Sequence, residues 1–83
     1  MKILYFAYLR EKAGIAEEDI ELPADVTDVR GLIAWLVARG GGPAEALADS
    51  DLVHVALNQE HVDLDRSLHD VEEVAFFPPV TGG

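Results

Sequence analysis

The chain has 83 residues, no cysteine, 49% hydrophobic residues and a formal net charge of −10, from 6 Lys and Arg against 16 Asp and Glu. This length allows one domain, and the missing cysteines exclude disulfides, thiolate metal centres and thioester chemistry on the chain itself. The charge argues against nucleic acid or an anionic membrane as partner, and suits a basic protein surface or adaptation to high salt.

The start, Met1-Lys2-Ile3-Leu4-Tyr5-Phe6-Ala7-Tyr8, is too short for a signal peptide and runs into Arg10-Glu11-Lys12. With no disulfide to form, a cytoplasmic location is expected. Residues 3–9 are apolar throughout and read as a strand covered on both faces. Residues 10–14 read as a loop. Asp19-Ile20-Glu21-Leu22 alternates like a half-buried strand, ended by Pro23 and paired with the first strand as a hairpin. Thr27 is the expected N-cap of the main helix. Val29, Leu32, Ile33, Leu36 and Val37 then fall on one helical face. Gly40-Gly41-Gly42 stops this helix, and Pro43 opens a short second one through about residue 48.

Residues 52–57 read as a strand, Asn58-Gln59 as a turn, and residues 60–62 as a return strand. Residues 63–70 are polar and irregular, anchored by Leu64 and Leu68. Val74-Ala75-Phe76-Phe77 is the last strand, stopped by Pro78-Pro79. The two most apolar strands, first and last, are expected at the centre of the sheet. The pattern predicts an α+β fold of the β-grasp (ubiquitin-like) type. Its mixed four- to five-stranded sheet holds one main helix and a short second helix. Residues 1–79 form the domain and residues 80–83 a flexible tail.

Few side chains suggest chemistry. His54, His61 and His69 stand seven and eight residues apart, which matches no metal motif, so they read as one half-buried and two surface histidines. Asp63, Asp65, Asp70, Glu72 and Glu73 lack the glycine and closing glutamate of a calcium loop and read as a solvated or partner-facing acidic edge. Gly40-Gly41-Gly42 lacks the Lys-Ser/Thr of a phosphate loop. Trp35 reads as a side-packed core residue. No metal site is expected. The tail Val80-Thr81-Gly82-Gly83 is the exception. It follows a diproline spacer, is slender enough for a narrow channel, and carries the α-carboxylate at its end.

Val55-Ala56-Leu57-Asn58-Gln59, then Asp65, Leu68 and Asp70, lead into Glu73-Val74-Ala75-Phe76-Phe77-Pro78-Pro79-Val80-Thr81-Gly82-Gly83. Together with Ile3-Leu4-Tyr5-Phe6-Ala7 and Leu9-Arg10-Glu11, this pattern closely resembles the small subunits of molybdopterin synthase. The resemblance implies a cytoplasmic sulfur carrier of molybdenum cofactor biosynthesis. An E1-like enzyme, using ATP and Mg, would adenylate Gly83. A sulfurtransferase would supply the sulfur that converts the adenylate to a thiocarboxylate. The tail would enter the large synthase subunit and donate sulfur to cyclic pyranopterin monophosphate, in a heterotetramer of two large and two small subunits. The chain itself binds no cofactor in this scheme and performs no catalysis alone.

By the matching positions, Phe6 and Phe77 would form an apolar docking patch, with Arg10 at its rim and His61 where relatives often have an apolar contact residue. Pro78, Pro79, Val80, Thr81 and Gly82 would line the partner's channel. Val71 stands where relatives often have glycine, so the local turn would differ. The same tail would also serve a carrier for thiazole or tungsten-cofactor assembly, or a ubiquitin-like modifier joined through Gly83 to lysines.

Overall fold

In the computed structural model, residues 1–49 and 52–79 are described. The strands are β1 (Lys2–Tyr5), β2 (Glu17–Asp19), β3 (His54–Leu57), β4 (Glu60–Val62) and β5 (Glu73–Phe77). The helices are α1 (Ala7–Ala13), α2 (Val29–Arg39) and α3 (Gly41–Leu47). The sheet order is β2-β1-β5-β3-β4, with β1 and β5 parallel and the other neighbours antiparallel. This is the expected mixed sheet. The central strand is β5, flanked by β1 and β3, because these carry the side chains that must be covered.

Alternation along the strands sends Ile3, Tyr5, Val55, Leu57, Val74 and Phe76 to one face. There they meet Val29, Leu32, Ile33 and Leu36 of α2, together with Leu9 and Ala13 of α1 and Ala46 and Leu47 of α3. Burying each large apolar side chain contributes about 1.5–3 kcal/mol. Val37, the fifth residue of the expected helical stripe, is instead 38% exposed. Trp35 packs on the core margin, with the Arg39 guanidinium 5.4 Å from its ring centroid.

Three expectations are corrected. The first strand ends at Tyr5, and residues 7–13 are helical where the apolar run predicts strand and then loop. Ala7 takes φ 53° and turns the chain. Leu9 and Ala13, four apart, then share a buried face, and Gly14, at φ 76°, closes the helix by donating to the Arg10 carbonyl. The second strand is Glu17–Asp19, two residues earlier than the alternation suggests. Its register is set by bonds from Tyr5 N to the Ala16 carbonyl and from Ile20 N to the Met1 carbonyl, each 2.9 Å. The cap of α2 is Asp28: its carboxylate accepts from Gly31 N at 2.7 Å, while the Thr27 carbonyl accepts from Leu68 N.

The triple glycine ends α2 as expected, with Gly40 at φ 84°, and it also opens α3. A Cβ at Gly42 would run into the Ala13 carbonyl, so glycine lets α3 lie against α1. The β3–β4 turn falls on Asn58 and Gln59, at φ 48° and 72°. The Asn58 side-chain oxygen accepts from Glu72 N at 3.0 Å and Glu73 N at 3.1 Å, tying the turn to the start of β5. At residues 70–71 the left-handed position is taken by Asp70, φ 60°, and not by Val71.

Candidate functional site

The sheet's second face carries no helix among the described residues. The pairs Leu4–Ala75, Ala75–Ala56, Ala56–His61 and His54–Phe77 stand directly opposite one another on it. Its middle is small and apolar. Ala75 is 7% exposed, screened by its cross-strand neighbours, and is not among the residues of the main core. Lys2 and Glu73 face each other at one end, with Lys2 3.2 Å from Glu17. The other end, where β5 runs out, is aromatic.

Phe77 is the last residue of β5 and is half-buried. Its ring centroid lies 5.8 Å from that of His54 and 5.5 Å from that of His61. Phe6 follows Tyr5 in extended conformation, and its amide donates to the Phe76 carbonyl at 3.0 Å. Tyr5 points into the core, so alternation turns Phe6 to the open face beside the end of β5. Phe6 is 49% exposed. Its carbonyl accepts from the Leu9 and Arg10 amides, which holds Arg10 one turn away on the solvent side of α1. Arg10 forms no ion pair among the described residues.

Of the residues expected in the docking patch, Phe6, Phe77 and His61 share one face, and Arg10 lies one turn along α1 from Phe6. Pro78 and Pro79 continue from β5, half-buried. Val80, Thr81, Gly82 and Gly83, and with them the tail expected over residues 80–83, lie outside the described residues. His54, read from the sequence as a half-buried histidine apart from His61, joins it on this face. Its signal was present: a two-residue turn at Asn58-Gln59 brings residues 54 and 61 onto one face of the hairpin as diagonal neighbours.

The other candidates behave as surface groups. His69 is exposed and 3.3 Å from Asp70. Asp65 pairs with Arg30 at 3.1 Å. Among the described residues, no three His, Asp or Glu side chains are grouped to hold a metal ion. Among the described residues, no helix is long and apolar enough to cross a membrane.

Residues 3–83 match the profile of the ThiS family. The chain belongs to the ThiS family. The molybdopterin synthase sulfur carrier subunit of Escherichia coli K12 is 43% identical over 83 residues, covering 100% of this chain and 99% of the relative. Among solved structures, a molybdopterin converting factor subunit 1 from Pyrococcus furiosus superposes with TM-score 0.73 at 38% identity, covering 95% of both chains. The small archaeal modifier protein 1 of Haloferax volcanii follows at TM-score 0.69 and 30% identity, again over 95% of both. These likenesses bear out the ubiquitin-like reading of this ThiS-family chain.

Proposed function

We propose that this chain is the sulfur carrier of a molybdopterin synthase. The observation that carries the proposal is the 43% identity to a molybdopterin synthase sulfur carrier subunit, in an alignment that spans 100% of the chain and so extends over its Gly82-Gly83 ending. A carboxylate resists nucleophilic attack because its charge is delocalised. Adenylation of Gly83 with ATP and Mg by an E1-like enzyme creates an acyl adenylate with AMP as leaving group. Sulfide-level sulfur from a sulfurtransferase forms the new C–S bond as the bond to AMP breaks, leaving a thiocarboxylate. That sulfur, a softer nucleophile than oxygen, bonds to cyclic pyranopterin monophosphate inside the large subunit, and water then cleaves the acyl C–S bond and returns Gly83 to a carboxylate.

No side chain of the carrier acts as acid or base in this scheme. Its fold docks and aims. Phe6, Phe77 and His61 seat the open face on the large subunit, with Arg10 at the rim. The tail is the direct continuation of β5, so docking through Phe77 directs Pro78, Pro79, Val80, Thr81 and Gly82 along the partner's channel. Proline at 78 and 79 supplies no backbone N–H for a further ladder bond, which favours departure from the sheet. The assembly is a heterotetramer of two large and two small subunits, acting in the cytoplasm.

The likeness to a small archaeal modifier protein supports a second reading, in which Gly83 is joined to lysines of other proteins. Both readings begin with adenylation. Intact-mass measurement after incubation with an E1-like enzyme, ATP and a sulfur source separates them. One sulfur-for-oxygen exchange mapped to Gly83 is the expected result. Isopeptide conjugates with no such exchange would overturn the carrier reading.

A further inference from the structure

The β3–β4 hairpin brings two histidines into contact on the open face. His54 Nδ1 lies 3.2 Å from His61 Nε2, with ring centroids 5.2 Å apart. Both rings lean on Phe77, so the three rings form one surface across β4, β3 and β5. At this separation one nitrogen carries a hydrogen and the other offers its lone pair. When both rings are protonated, every ring nitrogen carries a hydrogen, and the contact sets two like charges face to face.

We propose that His54 and His61 extend the docking face beyond Phe77 and make docking depend on their protonation: the partner surface seats on the neutral, hydrogen-bonded pair and is released as the pair gains protons. This inference rests on the docking role proposed above. The occupant is the large subunit, presenting an apolar surface over the three rings with basic groups around it. Two features argue for that chemistry. The rings are continuous with the apolar strip Ala56, Ala75 and Leu4, so a partner seated there covers them and removes water from any imidazolium. The chain carries −10, so complementarity calls for a basic surround, which repels an added positive charge.

Charged groups surround the pair on every side. Asp63 lies in the groove beside the pair and forms no ion pair among the described residues. Asp65 in that groove is engaged by Arg30 of α2. From β5 the open face presents Glu73, and from β1 Lys2, already paired with Glu17. Glu60 of β4 stands on the opposite face and pairs with Arg66 at 2.9 Å. A basic partner surface opposes protonation of the pair in the complex. The free chain then holds more protons than the complex. Affinity falls as pH drops through the imidazole range, and docking releases protons.

Isothermal titration calorimetry of the full chain against the molybdopterin synthase large subunit of the same organism tests this. It is run at about pH 8 and about pH 5.5, in buffers of different ionisation enthalpy. The expected result is an affinity loss of about fivefold or more at the lower pH, with net proton release on docking. In the doubly substituted His54→Gln/His61→Gln chain, that loss should shrink to about twofold or less. Affinity at the higher pH is itself expected to drop, since both rings belong to the docking face, so the test reads the ratio between the two pH values. Circular dichroism of the free chains at both pH values checks that each is folded, and the single variant His61→Asn serves if the double one is not. An unchanged pH response in a folded variant, or none in the natural chain, would overturn the proposal while leaving docking itself intact. No docking at either pH would overturn the docking role, and this inference with it.

Discussion

Arg39, the last residue of α2, donates to Glu18 of β2 across 2.8 Å, and the same carboxylate oxygen accepts the Tyr5 hydroxyl at 2.8 Å. One acceptor thus ties the main helix to both strands of the first hairpin. The Arg39 guanidinium holds the Glu18 carboxyl below its ordinary value of 4.5, against the opposing effect of burial. Burial, and then the bond to Glu18, pushes the Tyr5 hydroxyl well up, so it keeps its proton throughout the working range. Glu18→Gln should cost about 1–2 kcal/mol, measured by urea unfolding at neutral pH. The sign of the pH effect follows from the lowered carboxyl: its stabilisation is full above about pH 4.5 and is lost as pH falls through the folded-state value. The acid limb of the Glu18→Gln stability curve should therefore be shallower than that of the natural chain.

Two glycines next to α1 should respond differently to alanine. At Gly42 the new Cβ meets the Ala13 carbonyl, backbone against backbone, so α1 and α3 must move apart. A loss of about 2–3 kcal/mol is expected. At Gly14 there is open space, and only φ 76° opposes the side chain. Gly14→Ala should cost about 1–2 kcal/mol. Thermal unfolding of the two variants side by side decides the order, and equal losses would contradict the close approach at Gly42.

Phe77 lies outside the main core, at the end of β5. Phe77→Ala should weaken docking on the large subunit by about 1–3 kcal/mol, as loss of a central aromatic anchor does. Its melting temperature should change little. Calorimetric titration beside a thermal melt makes both comparisons, and unchanged affinity would remove Phe77 from the interface.

The chemistry of the tail makes the sharpest demand. Deleting Gly83, or adding one residue after it, should abolish molybdopterin formation in a reconstituted assay. The core among the described residues is built from positions 3–76. The circular dichroism spectrum should therefore match that of the natural chain. Normal product from either variant would end the carrier reading.

The first helix shows where one-dimensional reading stops. Residues 3–9 are apolar without a break, so neither the period of a strand nor that of a helix can be told apart there. The chain changes from β1 to α1 at Ala7 because Leu9 and Ala13 find a pocket against α3, and that pocket exists only once Gly42 lets α3 approach. The cap of α2 fell one residue from Thr27 to Asp28 because the Thr27 carbonyl is taken by Leu68 from a distant loop. His54 and His61, read singly, are ordinary polar residues. Their meaning comes from strand register.

By itself, the sequence determined what local chemistry and periodicity dictate. This covers the helical stripe of α2, the turn at Asn58-Gln59, the buried β5 and the acidic composition. Tertiary structure alone decided which face of the sheet stays open and which side chains meet on it. One face of the sheet must lie under the helices to bury its apolar residues. The parallel pairing of β1 with β5 then puts Phe6 beside the end of the strand that leads into the tail, while the hairpin carries His54 and His61 to Phe77. Those meetings join residues far apart in the chain, and their distances follow from packing, which no short stretch of sequence encodes.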